Sequence, residues 1–259
     1  MSDLAQDAGQ TTVDPGEIER FSRIAAEWWD PAGKFAPLHR LNPVRIGYVR
    51  DRVARHWQRD PLSAGALSPG PLSGLSLLDI GCGGGLISEP MARLGAEVTG
   101  IDAAERNVAV AALHAEGQAL AIDYRPTTAE ALAATGAQFD VVLALEIVEH
   151  VADVDLFLSS CGRLVKPGGL LFLSTLNRTA KAWALAIAGA EYVLGWLPRG
   201  THDWRKFLKP SEVVRRLSAG GIETEEIVGV VYSPLSRAWS LNKRDLDVNY
   251  MLYGTKPSS

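Results

Sequence analysis

The stretch Leu75-Ser-Leu-Leu-Asp-Ile-Gly-Cys-Gly-Gly-Gly85 constrains the fold of this 259-residue chain more than any other. An apolar run ends in Asp79, then in a loop with four glycines in five positions, and a helix-like run from Leu86 to Gly95 follows at once. Strand, glycine turn and helix in that order is how an open parallel sheet builds a small-molecule site at its carboxyl edge. Without a Cβ the turn reaches positive φ and lets a ligand lie against bare backbone.

The chain then alternates strand and helix patterns. Apolar runs begin at Leu75, Ala96, Ala121, Phe139, Leu170, Ile222 and Val248, which predicts a doubly wound, mostly parallel, seven-stranded α/β sheet. Lys166-Pro-Gly-Gly169 reads as a turn and Pro210–Ala219 as a helix. Residues 1–15 read as a disordered tail and 16–74 as an N-terminal helical cap with its linker. Within the cap, one helix stops before Pro31, Phe35–Pro43 is a loop, and a second helix runs from Val44 to about Gln58. Residues 75–259 form the main domain, with an insertion at 177–209. All seven tryptophans lie outside 58–182, in the cap, the insertion and the tail, so they either pack these additions onto the domain or wall the site.

Composition excludes several classes. A net charge of −4 without a basic stripe gives no electrostatic case for nucleic acid. Two cysteines make no disulfide framework, and Met1–Gly9 has no basic and apolar signal regions, so a reducing cytosol is expected.

The ligand follows from three details. The dinucleotide pattern fails, because the sixth position counted from Gly81 is Leu86. Asp79 would repel a pyrophosphate but favours an amino group or a sulfonium. Asp102 ends the second strand, 23 residues later, where an acid can accept both ribose hydroxyls. Leu145 and Thr128-Ala-Glu130 are expected near an adenine. Loop, cation-friendly acid and ribose acid together point to S-adenosylmethionine, and the combination resembles the class I methyltransferases. Bracing roles for Asp79 and Asp102 are the simpler alternative for each taken alone.

Strand four runs into Glu146-Ile-Val-Glu149-His150, whose acids and imidazole share one face if a helical turn begins there. Either the three hold a divalent cation, most plausibly Mg²⁺, or His150 is a lone general base that the glutamates orient. A phenol ionises near pH ~10, so a cation chelated by adjacent hydroxyls would supply the phenolate that attacks a methyl. The insertion carries a sixteen-residue apolar run, 182–197, too short for the ~20 residues of a membrane span. Arg178, Lys181, Arg199, Arg205, Lys206 and Lys209 against Glu191 and Asp203 leave it at +4 on an acidic chain. Attachment to an anionic membrane surface and a lid buried over the site are both consistent with that.

Several blocks carry a closer resemblance. Trp28-Trp-Asp30, Pro37-Leu-His-Arg-Leu-Asn-Pro43, Asp79–Gly85, Glu146–His150, Ser174–Arg178, Gly200-Thr-His-Asp203 and Asp247-Val-Asn-Tyr250 resemble the bacterial ubiquinone biosynthesis O-methyltransferases. The resemblance implies both O-methylations of polyprenyl-substituted phenol or quinol intermediates with S-adenosylmethionine. It implies cofactor contacts at Arg45, Gly81, Asp102 and Leu145, beside Asp79 and Gly83 of the loop, and a Mg²⁺-type site at Glu146, Glu149 and His150. Glu149 and His150 are the expected catalytic pair. The implied setting is cytoplasmic, peripheral to the inner membrane through residues 178–209, with a biosynthetic complex as a possible partner. Methylation of another phenolic or lipid-like molecule, a NAD-linked oxidoreductase and a lipid-bound scaffold are the competing functions.

Overall fold

Successive residues of a strand point to opposite faces of a sheet, and in this chain both faces are buried. Leu77, Val141, Leu143 and Phe172 pack to one side with Leu41, Tyr48, Val49 and Met91. Leu78, Val142, Ala144 and Leu171 pack to the other with Phe157, Leu158, Val213 and Leu217. That is why the strands read as continuous apolar runs.

The structure, a computed structural model, describes residues 11–63, 70–185 and 203–258. Two helices come first, α1 (Pro15–Arg23) and α2 (Ala36–His56), with a 3₁₀ turn at Ala25–Glu27 between them. Then follow β1 (Ser76–Ile80), α3 (Ser88–Arg93), β2 (Glu97–Asp102), α4 (Glu105–Gly117), β3 (Asp123–Pro126), α5 (Ala129–Ala134) and β4 (Phe139–Leu145). A 3₁₀ turn at Val148–His150 leads to α6 (Val154–Leu164), β5 (Val165–Leu176) and the short α7 (Ala180–Ala182). After a 3₁₀ turn at Trp204–Lys206 come α8 (Pro210–Ala219), β6 (Glu223–Ser233), β7 (Ala238–Asn242) and β8 (Asn249–Thr255).

One sheet takes the order β3-β2-β1-β4-β5-β8-β6-β7. β1 pairs in parallel with both β2 and β4, so the order reverses there and opens a crevice at the carboxyl edge. β8 lies antiparallel between β5 and β6. The mostly parallel doubly wound architecture is as expected, but the strands number eight rather than seven. The additional β7 is an edge strand antiparallel to β6. Its residues are mostly exposed, and so it lacks the apolar run that marks the others.

Three further boundaries differ from expectation. Ala36–Pro43 is helix, not loop: Pro37 occupies the first turn of α2, and Pro43 lies inside it, where it removes one N–H from the ladder and its ring crowds the carbonyl of His39. Lys166–Gly169 belongs to β5 as an irregularity, since Phe139 pairs with Val165 but Val141 with Leu170, and Gly168 takes φ +77° there. Residues 11–15 are placed, with Thr12 buried. Its N–H and hydroxyl donate to Glu130 at 2.9 and 2.8 Å, and its carbonyl accepts from Ala152 N–H at 2.9 Å. Most of the 177–209 insertion and the greater part of the 1–15 tail lie outside the described residues. Among the described residues no helix is long and apolar enough to cross a membrane.

Candidate active site

A cavity of about 1090 Å³ opens along the carboxyl edge, from the glycine loop past β4 and β5 to the β6–β7 hairpin. Its first half is built by backbone. Gly81, Gly83 and Gly85 take φ of +71°, +54° and +88°, which side chains rarely adopt. Gly81 and Cys82 N–H groups donate to Ile101 O, at 2.8 and 3.0 Å. A Cβ on Gly83 or Gly84 would fall inside the indole of Trp28, which stacks on Phe35 at 3.7 Å and donates to Asn107 at 3.0 Å. Trp29 Nε1 donates to Gly84 O at 2.9 Å. The tryptophan pair thus packs the N-terminal segment directly onto the loop, and Trp28 also lines the cavity. Both readings of the tryptophans hold at once here.

Asp102 braces the loop. Its Oδ2 accepts from Gly83 N–H at 3.0 Å and its Oδ1 from Ala104 N–H at 2.8 Å, with Asn107 at 3.3 Å. Burial raises its carboxyl, against the lowering by those hydrogen bonds. Asp79, also buried, accepts from Ser88 Oγ at 2.6 Å, and burial pushes its carboxyl up to about 7, with the charge of Asp102 adding to the effect. A carboxyl held that high is relieved by a nearby cation. Leu145 is buried at the end of β4 and lines the cavity with Thr128, whereas the Glu130 carboxylate is occupied by Thr12.

Arg45 projects from α2 into the same space, buried, with Nη2 2.9 Å from Glu146 Oε1 but in no well-directed hydrogen bond. Burial lowers its guanidinium while Glu146, Glu149 and Asp79 act to raise it. A buried guanidinium nitrogen without a directed acceptor fits a carboxylate ligand.

The three residues after β4 are adjacent but turned to different partners. Glu146 sits at φ +54°, a left-handed conformation rare outside glycine, and accepts from Ser174 Oγ at 2.9 Å besides pairing with Arg45. Glu149 is buried, and its Oε2 accepts from Thr175 Oγ1 at 2.9 Å. Its Oε1 finds no hydrogen-bond partner among the described residues. Burial and then the Glu146 charge push the Glu149 carboxyl up to about 7. His150 Nδ1 lies 3.2 Å from Glu17 Oε2 and 3.5 Å from Arg20 Nη2, both on α1. At Glu17, burial acts upward, but His150, Arg20 and Lys206 outweigh it and hold the carboxyl low.

The expected convergence of Glu146, Glu149 and His150 is therefore corrected. A 3₁₀ turn rather than an α-turn carries Glu149 and His150, and no group of three His, Cys, Asp or Glu among the described residues is arranged to hold a metal. The donor set as it stands does not fit Mg²⁺, because a guanidinium occupies the place beside Glu146. Glu17, Ser88, Asn107 and Thr175 were missed by sequence reasoning. Of these only Thr175 lies in a block that carries the family resemblance, Ser174–Arg178.

The fold and the glycine cradle define a class, the Rossmann-like class I S-adenosylmethionine-dependent methyltransferases. A family profile described as "Methyltransferase domain" matches residues 78–173. The structure is similar to magnesium protoporphyrin IX methyltransferase from Synechocystis PCC 6803 with bound SAH, with a TM-score of 0.61 at 20% identity over 93% of this chain and 95% of that one. It is also similar to a possible histamine N-methyltransferase from Thermotoga maritima, at a TM-score of 0.59, 18% identity, and 93% and 99% coverage. In sequence, the ubiquinone biosynthesis O-methyltransferase of Sinorhizobium medicae (strain WSM419) is 56% identical over 97% of this chain and 99% of its own length. That of Parvibaculum lavamentivorans is 57% identical over 97% of both. The chain belongs to the ubiquinone biosynthesis O-methyltransferase family. It is an enzyme, an S-adenosylmethionine-dependent O-methyltransferase.

Proposed function

We propose that this enzyme methylates hydroxyls of polyprenyl-substituted catechol or demethylubiquinol intermediates, and that it serves both O-methylation steps of ubiquinone biosynthesis. The observation that carries the reading is Glu149. A buried carboxyl poised at about 7, with one oxygen lacking a partner, lines the cavity next to the glycine loop. A second buried oxygen with no hydrogen-bond partner among the described residues is Oδ1 of Asn249, which also lines the cavity. Two acceptors in want of donors suit an acceptor molecule that brings hydroxyls.

When bound, S-adenosylmethionine supplies a methyl on a sulfonium. Arg45 would take its carboxylate, Asp79 its cationic part, Asp102 the ribose hydroxyls, and Leu145 with the Gly81–Gly83 backbone the adenosine faces. Glu149 and His150 would then receive the proton that the phenol loses as its oxygen displaces the sulfide, with Glu17 facing the imidazole. A carboxyl near 7 is matched to that task at neutral pH. Mg²⁺ assistance, implied by the resemblance, would require Glu146 to exchange Arg45 for the ion, and no step here depends on it.

Peripheral membrane attachment on the cytoplasmic side is part of the same proposal, as is handing of substrate within a biosynthetic complex. Exposed Trp183, Leu185 and Trp204 lie within the insertion and support attachment. The charge argument is weaker than the sequence suggested, because Arg178 pairs with Glu212, Lys181 with Asp245 and Lys206 with Asp14. Incubation with methyl-labelled S-adenosylmethionine and a short-tailed prenyl catechol should label the catechol oxygen; no transfer overturns the reading. Repeating the assay on EDTA-treated enzyme titrated with Mg²⁺ measures what the metal adds. Liposomes with anionic lipid should pellet the intact chain but not one lacking 178–199.

A further inference from the structure

The cavity is longer than a nucleoside and a phenol ring require. Its far half runs along the carboxyl edge beyond the order reversal, under β5, β8, β6 and β7. From β4 to β7 the sheet crosses four inter-strand spacings, about 19 Å at ~4.8 Å each. The wall there is made by Val230, Tyr232 and Pro234 of β6 and the turn after it, and by Trp239 of β7. Tyr232 and Trp239 face each other across the hairpin with ring centroids 5.3 Å apart. Since β6 runs parallel to β5, the end of β6 that carries these residues lies on the same edge as the glycine loop and Glu149.

Leu185 and Pro234 both line the cavity and are exposed, so they mark its outer rim. Beside Pro234, at the hairpin tip, Leu235 is fully exposed, and Trp183 near Leu185 is half-exposed. Lys181 bridges the rim, its Nζ 3.1 Å from both Asp245 Oδ2 and Asp247 Oδ2. A polar head at Glu149 and Asn249 is followed by an aromatic and aliphatic passage, and then by an exit where exposed Leu185, Pro234 and Leu235 stand beside the internally paired Lys181, Asp245 and Asp247.

We infer that the β6–β7 hairpin is a tail-binding arm, in which Val230, Tyr232, Pro234 and Trp239 hold the first isoprene units of the acceptor's polyprenyl chain. The chain leaves between Leu185 and Leu235. An isoprenoid has no hydrogen-bonding group, and the arm offers it mainly branched aliphatic and ring surface, with Arg237 of the turn the charged side chain in its lining. The inference rests on the proposed acceptor class and adds where its tail lies. It also gives β7 a purpose: this strand contributes nothing to the cofactor half, and the cavity would lack one wall without it.

The test is methyl transfer to a series of catechols with no tail and with tails of increasing isoprene number, in wild-type enzyme and in Trp239→Ala and Leu235→Asp. In the wild type, kcat/KM should climb with tail length, mainly through a falling KM. In Trp239→Ala the ratio of kcat/KM for tailed over tail-less acceptor should drop by about 10-fold or more, as loss of apolar pocket surface does. A merely structural lesion would lower both members of that ratio together. Leu235→Asp changes a fully exposed position, so folding is not at issue, and it should lower the ratio only for the longer tails. A wild-type ratio that does not change with tail length, or a ratio preserved in both variants, overturns the arm. Absence of transfer to every acceptor, tail-less ones included, would instead overturn the acceptor class.

Discussion

The two halves of the cavity are built on opposite principles. On the side of β1 and β2 most polar groups are already committed, Asp102 to Gly83 and Ala104, Asp79 to Ser88 and Trp29 to Gly84, with Arg45 Nη2 the exception in the lining. On the side of β5, β8 and β6, Glu149 Oε1 and Asn249 Oδ1 are buried with no hydrogen-bond partner among the described residues, and the wall is mostly aliphatic and aromatic, with Lys181, Arg237 and Asp245 also in its lining. A cradle finished in advance binds one invariant shape with little reorganisation. A wall with unpaired acceptors selects, because a molecule without the matching hydroxyls leaves them unpaired, at about 1–3 kcal/mol for each group. The donor half is generic to a reaction class, and the acceptor half carries the choice of substrate.

That division predicts where substitutions will be felt. The largest effect falls on the acceptor side: Glu149→Ala should lower the methyl-transfer rate by about 10²–10⁴-fold while leaving S-adenosylmethionine affinity within a few-fold. Full activity in that variant would break the comparison. Next comes the pH dependence of the ligand-free protein. Asp79 and Glu149 lose protons near 4 when unfolded but at about 7 when folded, so between those limits the native state binds more protons. Stability should therefore fall as pH rises from about 4 to about 7, by on the order of 3 kcal/mol for each group, and level off above. Chemical denaturation across that range measures it. Binding of S-adenosylmethionine at pH 6 should release close to one proton from Asp79. Calorimetry in buffers of different ionisation enthalpy reads this, and Asp79→Asn should abolish it.

Smaller is the effect of Gly83→Ala. A methyl driven into Trp28 from a left-handed backbone position should cost about 1–3 kcal/mol, seen as a lower Tm and weaker cofactor binding. Smallest is Asp14→Ala. Asp14 caps α1 and pairs with Lys206, so its loss should cost about 1 kcal/mol and speed hydrogen exchange in α1 without altering cofactor affinity.

The same division governs what could be read before any coordinates. The donor half is local: strand, loop and acid lie within Leu75–Asp102, and spacing alone points to the ligand. The parallel strands betray themselves by being buried on both faces. α8 matched its expected bounds, Pro210–Ala219, because proline marks its first turn and Gly220 its end. The acceptor half is assembled from distant pieces, and no local pattern joins Glu17 on α1 to His150, or Trp239 to the neighbourhood of Glu149. β7 escaped because an exposed edge strand has no apolar run. The expected convergence of Glu146, Glu149 and His150 assumed an α-turn, whereas a 3₁₀ turn carries the last two. Glu146 instead adopts positive φ and turns to Arg45, a residue 101 positions earlier.

The position of β8 also has a consequence for how the protein is made. Residues 249–255 pair with β5 on one side and β6 on the other, so the sheet stays split until residue 255 has been synthesised. At ~5–20 residues per second the ribosome needs roughly 4–16 s to add the stretch from residue 176 to residue 255. Throughout that interval Leu170–Leu176, an apolar strand edge, has no neighbour on its outer side. The nascent chain is thus most prone to aggregation just before its sheet closes, and a chain truncated after residue 248 should accumulate in the insoluble fraction.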